Sequence, residues 1–150
     1  MRDDHKKAMV VGFLAGIIFF ILNIILYIIA YYNSNNNFVT ISNMLVIIVP
    51  VVTGALAVYV TKTSSTVVIS GIAGIIEGMA SIVLLQFKDY LLQAITSYIP
   101  LNSNQTAIFS ITVQIPSIGG FIFLLGIAVT LSVMFGIIGG FLAQLIIYKH

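Results

Sequence analysis

Residues 66–87 read TVVISGIAGIIEGMASIVLLQF, an apolar run with a single ionisable side chain, Glu77, near its middle. A helix needs about 20 such residues to cross a hydrocarbon core of roughly 30 Å, so the run is read as a membrane span. A carboxylate at mid-bilayer costs several kcal/mol unless it is protonated, paired or wet, which marks Glu77 as the first place to look for function.

The rest of the chain agrees with that reading. Of its 150 residues, 60% are hydrophobic and 7% charged, against roughly 25% charged in a soluble domain. The mean hydropathy is +1.17. The length allows one domain and about four spans. Cysteine is absent, which removes disulfides, thiolate metal sites and cysteine nucleophiles. The formal charge of +2, with no basic stripe interleaved with aromatics, argues against nucleic acid as a partner. With no tryptophan, Tyr27, Tyr31, Tyr32, Tyr59, Tyr90, Tyr98 and Tyr148 are left to form the interfacial aromatic belt.

Outward from residues 66–87, three more runs are expected to span: 8–32, 41–61 and 119–148. The first follows the charged start Arg2 to Lys7. It is too long for a signal-peptide core and lacks a small-residue cleavage site, so it is read as a retained helix. Pro50 falls inside the second, where a kink is expected because membrane helices tolerate proline if neighbours satisfy the freed carbonyl. The four residues 62–65 force the second and third runs into an antiparallel hairpin.

Residues 88–118 are too polar and interrupted to span and form an outer segment. Leu91, Leu92, Ile95, Tyr98 and Ile99 have the one-sided spacing of a short interfacial helix ended by Pro100. Phe109, Ile111, Val113 and Ile115 alternate with polar residues at the period of a strand, and Val39 to Ser42 alternate too, which leaves a small extramembrane strand pair open.

The expected architecture is thus an all-α integral membrane protein, four helices as two hairpins. Lysine and arginine set its orientation. With the N-terminus cytoplasmic, Arg2, Lys6, Lys7, Lys62 and Lys149 face inward and only Lys88 faces out, so both ends are expected in the cytoplasm of a cell-membrane protein. The sequon at Asn104 then lies outside, where it can accept a glycan.

The hairpins also echo each other. Residues 14–26 read LAGIIFFILNIIL and residues 72–84 read IAGIIEGMASIVL, while Gly54 to Ala57 resemble Gly140 to Ala143. A tandem parallel repeat about an axis along the membrane normal would produce such echoes, and chance similarity among apolar helices would as well. Glu77 replaces Phe19 in that alignment, so the acid belongs to one half only.

Small residues at spacings of three and four mark helix contacts in lipid. Gly12 and Gly16 mark the first helix, Gly71, Gly74, Gly78 and Ser81 the third, and Ser132, Gly136, Gly139, Gly140 and Ala143 the fourth. Glu77 lies on the glycine side of its helix and is expected to face other helices rather than lipid. Counted from the ends of each run, Thr53, Glu77, Thr130 and Ser132 fall near the bilayer centre, with Asn23 and Ser81 about a turn further out. No cationic side chain shares that depth. The carboxyl is therefore expected to rest protonated, hydrogen-bonded to Asn23 or Thr53, with Asn23 favoured because its amide is hard to satisfy within its own helix.

Convergent catalytic groups are missing. No second carboxylate accompanies Glu77, no phosphate loop, HExxH or GxSxG occurs, and His5 and His150 lie at opposite ends of the chain. No enzyme activity, cofactor or metal is expected. The leading functional expectation is an accessory, assembly or scaffold subunit that meets other membrane subunits, or copies of itself, through glycine-rich faces. The alternative is a small ion- or proton-coupled channel or carrier using Glu77. A weaker third is a lesion-forming or membrane-remodelling protein.

Overall fold

A computed structural model describes residues 2–33, 37–62, 65–88, 90, 91, 94 and 118–147. Four helices account for nearly all of them: α1 (Asp3–Asn33), α2 (Asn37–Thr61), α3 (Thr66–Leu85) and α4 (Ile118–Ile147). All four are long and apolar enough to cross a membrane, and the protein is an integral membrane protein built from them. At 20 residues α3 measures about 30 Å, whereas α1 and α4, at 31 and 30 residues, each measure about 45 Å. In hydrocarbon every backbone amide must be satisfied inside its own segment, which is why uninterrupted apolar runs become helices.

Burial is inverted relative to a protein in water. Asn23, Ser42, Thr53, Thr66, Ser70, Glu77, Ser81 and Ser132 are buried, while Phe13, Ile18, Ile48, Phe123, Leu145 and many other large apolar side chains face outward. Only a surrounding apolar solvent makes that arrangement favourable.

α1 packs on α2 and α3, α4 packs on the same two helices, and α2 meets α3 across the centre. α1 and α4 stand at the ends of the long diagonal with at most marginal contact. A two-fold axis along the membrane normal would exchange the α2–α3 pair with the α1–α4 pair. The first packs and the second does not, so the bundle departs from two equivalent hairpins. The core consists of small side chains, with Ala8, Ala57, Ala73 and Ala143 clustered around Val58 and Ile69.

The helices approach backbone to backbone. A Cβ on Gly12 would strike the Ala73 carbonyl, one on Gly54 the Gly136 carbonyl, and one on Gly139 the Val51 carbonyl. One on Gly74 would come within 2.6 Å of the Ser132 carbonyl oxygen. Gly71 is the exception among the expected contact glycines: nothing lies within 4 Å of its missing Cβ. It sits about 60° round α3 from Gly74 and is only half-buried.

α2 ends in a left-handed residue, Lys62 (φ 50), whose N–H donates to the Val58 carbonyl at 2.9 Å and closes the last turn before α3. The second span starts earlier than the sequence pattern placed it. Residues 39–42, expected to alternate as a strand, lie inside α2, because four alternating residues also fit a helix whose face turns Ser42 inward. Pro50 is buried within the same helix. Beyond α3, the Leu91 N–H donates to the Phe87 carbonyl at 3.0 Å, one further helical turn. Ala94 is helical as well; the other residues of the expected interfacial helix, the strand at 109–115 and the sequon at Asn104 lie outside the described residues.

Candidate functional site

Glu77 is 2% exposed and sits where α3 passes between α1 and α4. Glycines make the enclosure. The missing Cβ of Gly16 on α1 lies 3.2 Å from the Glu77 carbonyl oxygen. That of Gly78 lies 3.0 Å from Val129 Cα and 3.1 Å from Ser132 Oγ on α4. No side chain at either position keeps α1 or α4 away from the acid.

The two carboxyl oxygens have different fates. Oε1 accepts a hydrogen bond from Ser81 Oγ at 2.9 Å, one turn along α3. Oε2 is buried and has no hydrogen-bond partner among the described residues. Ser132 faces the carboxyl from α4 without reaching hydrogen-bond geometry to Oε2. A buried acceptor left unmade costs about 1–3 kcal/mol, and more when charged.

The expected partners of Glu77 are elsewhere. Asn23 donates from Nδ2 to the Phe19 carbonyl at 3.1 Å, and its Oδ1 accepts from Ser42 Oγ on α2 at 2.5 Å. The amide is satisfied by its own helix and the neighbouring one. Axial offset is the reason. α1 and α3 run parallel, with Gly12 against Ala73 and the Tyr27 ring under Lys88 Nζ at 4.1 Å, an offset of 61 residues at both ends. That offset sets Asn23 level with Leu84, two helical turns beyond Glu77. Thr53 is buried but donates to its own Val49 carbonyl at 2.7 Å. Thr130 donates to the Gly126 carbonyl at 2.8 Å and is exposed on the lipid side of α4. Of the residues expected to gather at mid-membrane, the structure brings together Glu77, Ser81 and Ser132, while Asn23, Thr53 and Thr130 make their hydrogen bonds elsewhere.

Sequence reasoning passed over the rest of the polar surface between α3 and α4. Ser70 is fully buried and donates to the Thr66 carbonyl at 2.6 Å, and Thr66 Oγ1 donates to Gln144 Oε1 on α4 at 2.8 Å. The signal was available, since Thr66, Ser70, Gly74, Glu77, Gly78 and Ser81 follow one helical stripe. Gly54, noted only as an echo of Gly140, is among the tightest contacts.

No Asp, Lys, Arg or His occurs in α2, α3 or α4, or in α1 beyond Lys7, so no charge answers Glu77. The ion pairs Arg2–Asp4 and Lys6–Asp3 stay at the start of α1. No cluster of three or more His, Cys, Asp or Glu forms among the described residues. What remains is one carboxyl, half bonded and enclosed, able to gain or lose a proton or to ligate a cation. No family model, curated protein or solved structure matches this chain.

Proposed function

We propose that this protein is a non-enzymatic membrane carrier or channel component whose working group is Glu77, which takes up and releases a proton or cation at mid-membrane. The observation that carries the reading is the unpartnered Oε2 inside a closely packed bundle. A glutamate that only packed would gain from bonds at both oxygens, since a buried oxygen left without one costs about 1–3 kcal/mol. One oxygen held by Ser81 and one left free suits a group that exchanges a ligand. Four closely packed helices leave no wide pore, so transfer through this site is slow and coupled to small movements of α3 against α4.

The orientation that goes with this reading has both termini in the cytoplasm, from the lysine and arginine distribution. In proteoliposomes, Glu77→Gln is expected to abolish proton or cation flux while leaving helix content unchanged. Flux equal to that of the native protein ends the reading.

A second reading, an accessory subunit or self-associating scaffold, draws on a different feature. The glycines at 12, 16, 54, 74, 78, 136, 139 and 140 are occupied by the chain's own helices, so they offer nothing to a partner. From 118 to 131, however, α4 has no buried residue, and Ile122, Phe123, Gly126, Ile127 and Thr130 line a shallow apolar groove of about 360 Å³. If copies of the chain associate there, Gly126→Leu shifts the population toward monomer in detergent sedimentation. An unchanged distribution removes this reading.

A further inference from the structure

The buried hydroxyls of α3 and the polar groups facing them on α4 form a directional seam. From the face that carries both termini, it begins where Thr66 Oγ1 meets Gln144 Oε1 at 2.8 Å, continues to Ser70 one turn on, and reaches Ser132 and Glu77. Between Ser70 and Glu77, a distance of about 10 Å along the helix, glycines wall the seam. Gly136 leaves the Ser70 carbonyl oxygen 3.1 Å from its missing Cβ, and Gly74 stands over the Ser132 carbonyl. Main-chain oxygens thus continue the polar surface where side chains stop. Beyond Ser81, the remaining α3 residues through Leu85 are apolar, and α4 offers only Thr130, which faces lipid. Among the described residues the seam is polar on one side of Glu77 and closed on the other.

The ligand chemistry is equally restrictive. A dehydrated sodium or potassium ion must be ringed by oxygens that replace its whole hydration shell. Glu77, Ser81 and Ser132 supply three side chains, Ser81 Oγ is already donating to the carboxyl, and the carbonyls beside them are engaged in helical hydrogen bonds. The contact of Gly78 with Val129 leaves no room for a hydrated ion. α1 beyond Lys7, α2 and α4 carry no Asp, Glu, Lys, Arg or His; of their tyrosines, Tyr27 lies under Lys88 and Tyr59 is exposed.

We propose that the ligand of Glu77 is the proton, and that it enters along the α3–α4 seam from the end where Thr66 meets Gln144. This rests on the reading of Glu77 as an ion-handling carboxyl. In the step itself, water admitted to the seam delivers a proton: an O–H bond forms at Oε2, one breaks in hydronium, and no electron moves. The seam must part slightly to hydrate. α3 and α4 form the most extensive helix contact of the bundle, so the parting is confined to the width of a water, which the hydroxyls and carbonyls of the seam receive.

The test is hydrogen–deuterium exchange of the Glu77 carboxyl in proteoliposomes, followed by infrared spectroscopy, with Glu77→Gln identifying the band. Thr66→Val combined with Ser70→Ala keeps the volume and removes the hydroxyls, and Gln144→Leu is an independent disruption of the same entrance. Each is expected to slow exchange about tenfold, while Thr130→Val leaves it unchanged. Equal exchange rates in all variants overturn the route and leave Glu77 as the working group. A band that moves with sodium or potassium at constant pH overturns the proton as ligand. If no exchangeable carboxyl disappears in Glu77→Gln, the functional reading itself fails.

Discussion

Asn23 and Glu77 show what a single polar side chain can and cannot announce. Both were legible as buried: an amide and an acid within apolar runs have nowhere favourable to go but inward. Their partners were not legible. Depth counted from the ends of each run assumes that the runs start level, whereas the 61-residue offset between α1 and α3 is set by where Gly12 and Tyr27 make contact. Two turns of displacement were enough to pair Asn23 with Ser42 and leave Glu77 with Ser81. The pair linking α1 and α2 yields a prediction at this scale. A double-mutant cycle with Asn23→Ala and Ser42→Ala is expected to give a coupling of about 0.6 kcal/mol, the average for interhelical hydrogen bonds in membranes, and no more than about 1.7 kcal/mol. Reversible unfolding in mixed detergent measures it. A cycle of Asn23→Ala with Glu77→Gln is expected to be additive, because the two side chains share no partner.

At the level of helices, four apolar runs gave four helices with little ambiguity, since length and hydropathy alone fix them in a bilayer. The faces were harder. Glycine spacing marked the correct side of α3 for Gly74 and Gly78 but also admitted Gly71, because glycine is common in any membrane helix and a spacing of three turns about 60° short of a full circle. Contact separates them. Gly12→Ala, Gly54→Ala and Gly139→Ala each drive a methyl into a facing carbonyl and are expected to destabilise the bundle by about 1–3 kcal/mol or more. Gly71→Ala and Gly126→Ala meet open space and are expected to be neutral or to stabilise by up to about 1 kcal/mol through helix propensity. The same unfolding measurement ranks all five, and a Gly71 variant as damaging as the Gly54 variant would contradict the packing.

For the molecule as a whole, the alternating helices place Lys62 and Lys88 on opposite faces, and the proposed orientation has Lys62 inside and Lys88 outside. The chain has no cysteine, so single thiols report without interference. Lys88→Cys is expected to react with an impermeant maleimide on intact cells, and Lys62→Cys only after permeabilisation; the reverse pattern would invert the topology. The helix lengths have a mechanical consequence. α3, the one helix that carries an acid within the membrane, is also the shortest and just matches the hydrocarbon thickness, while α1 and α4 have about 15 Å to spare. As a bilayer thickens, the longer helices can stand more upright, but α3 has no slack and must slide or drag lipid inward. Membrane thickness therefore acts first on the helix that holds Glu77.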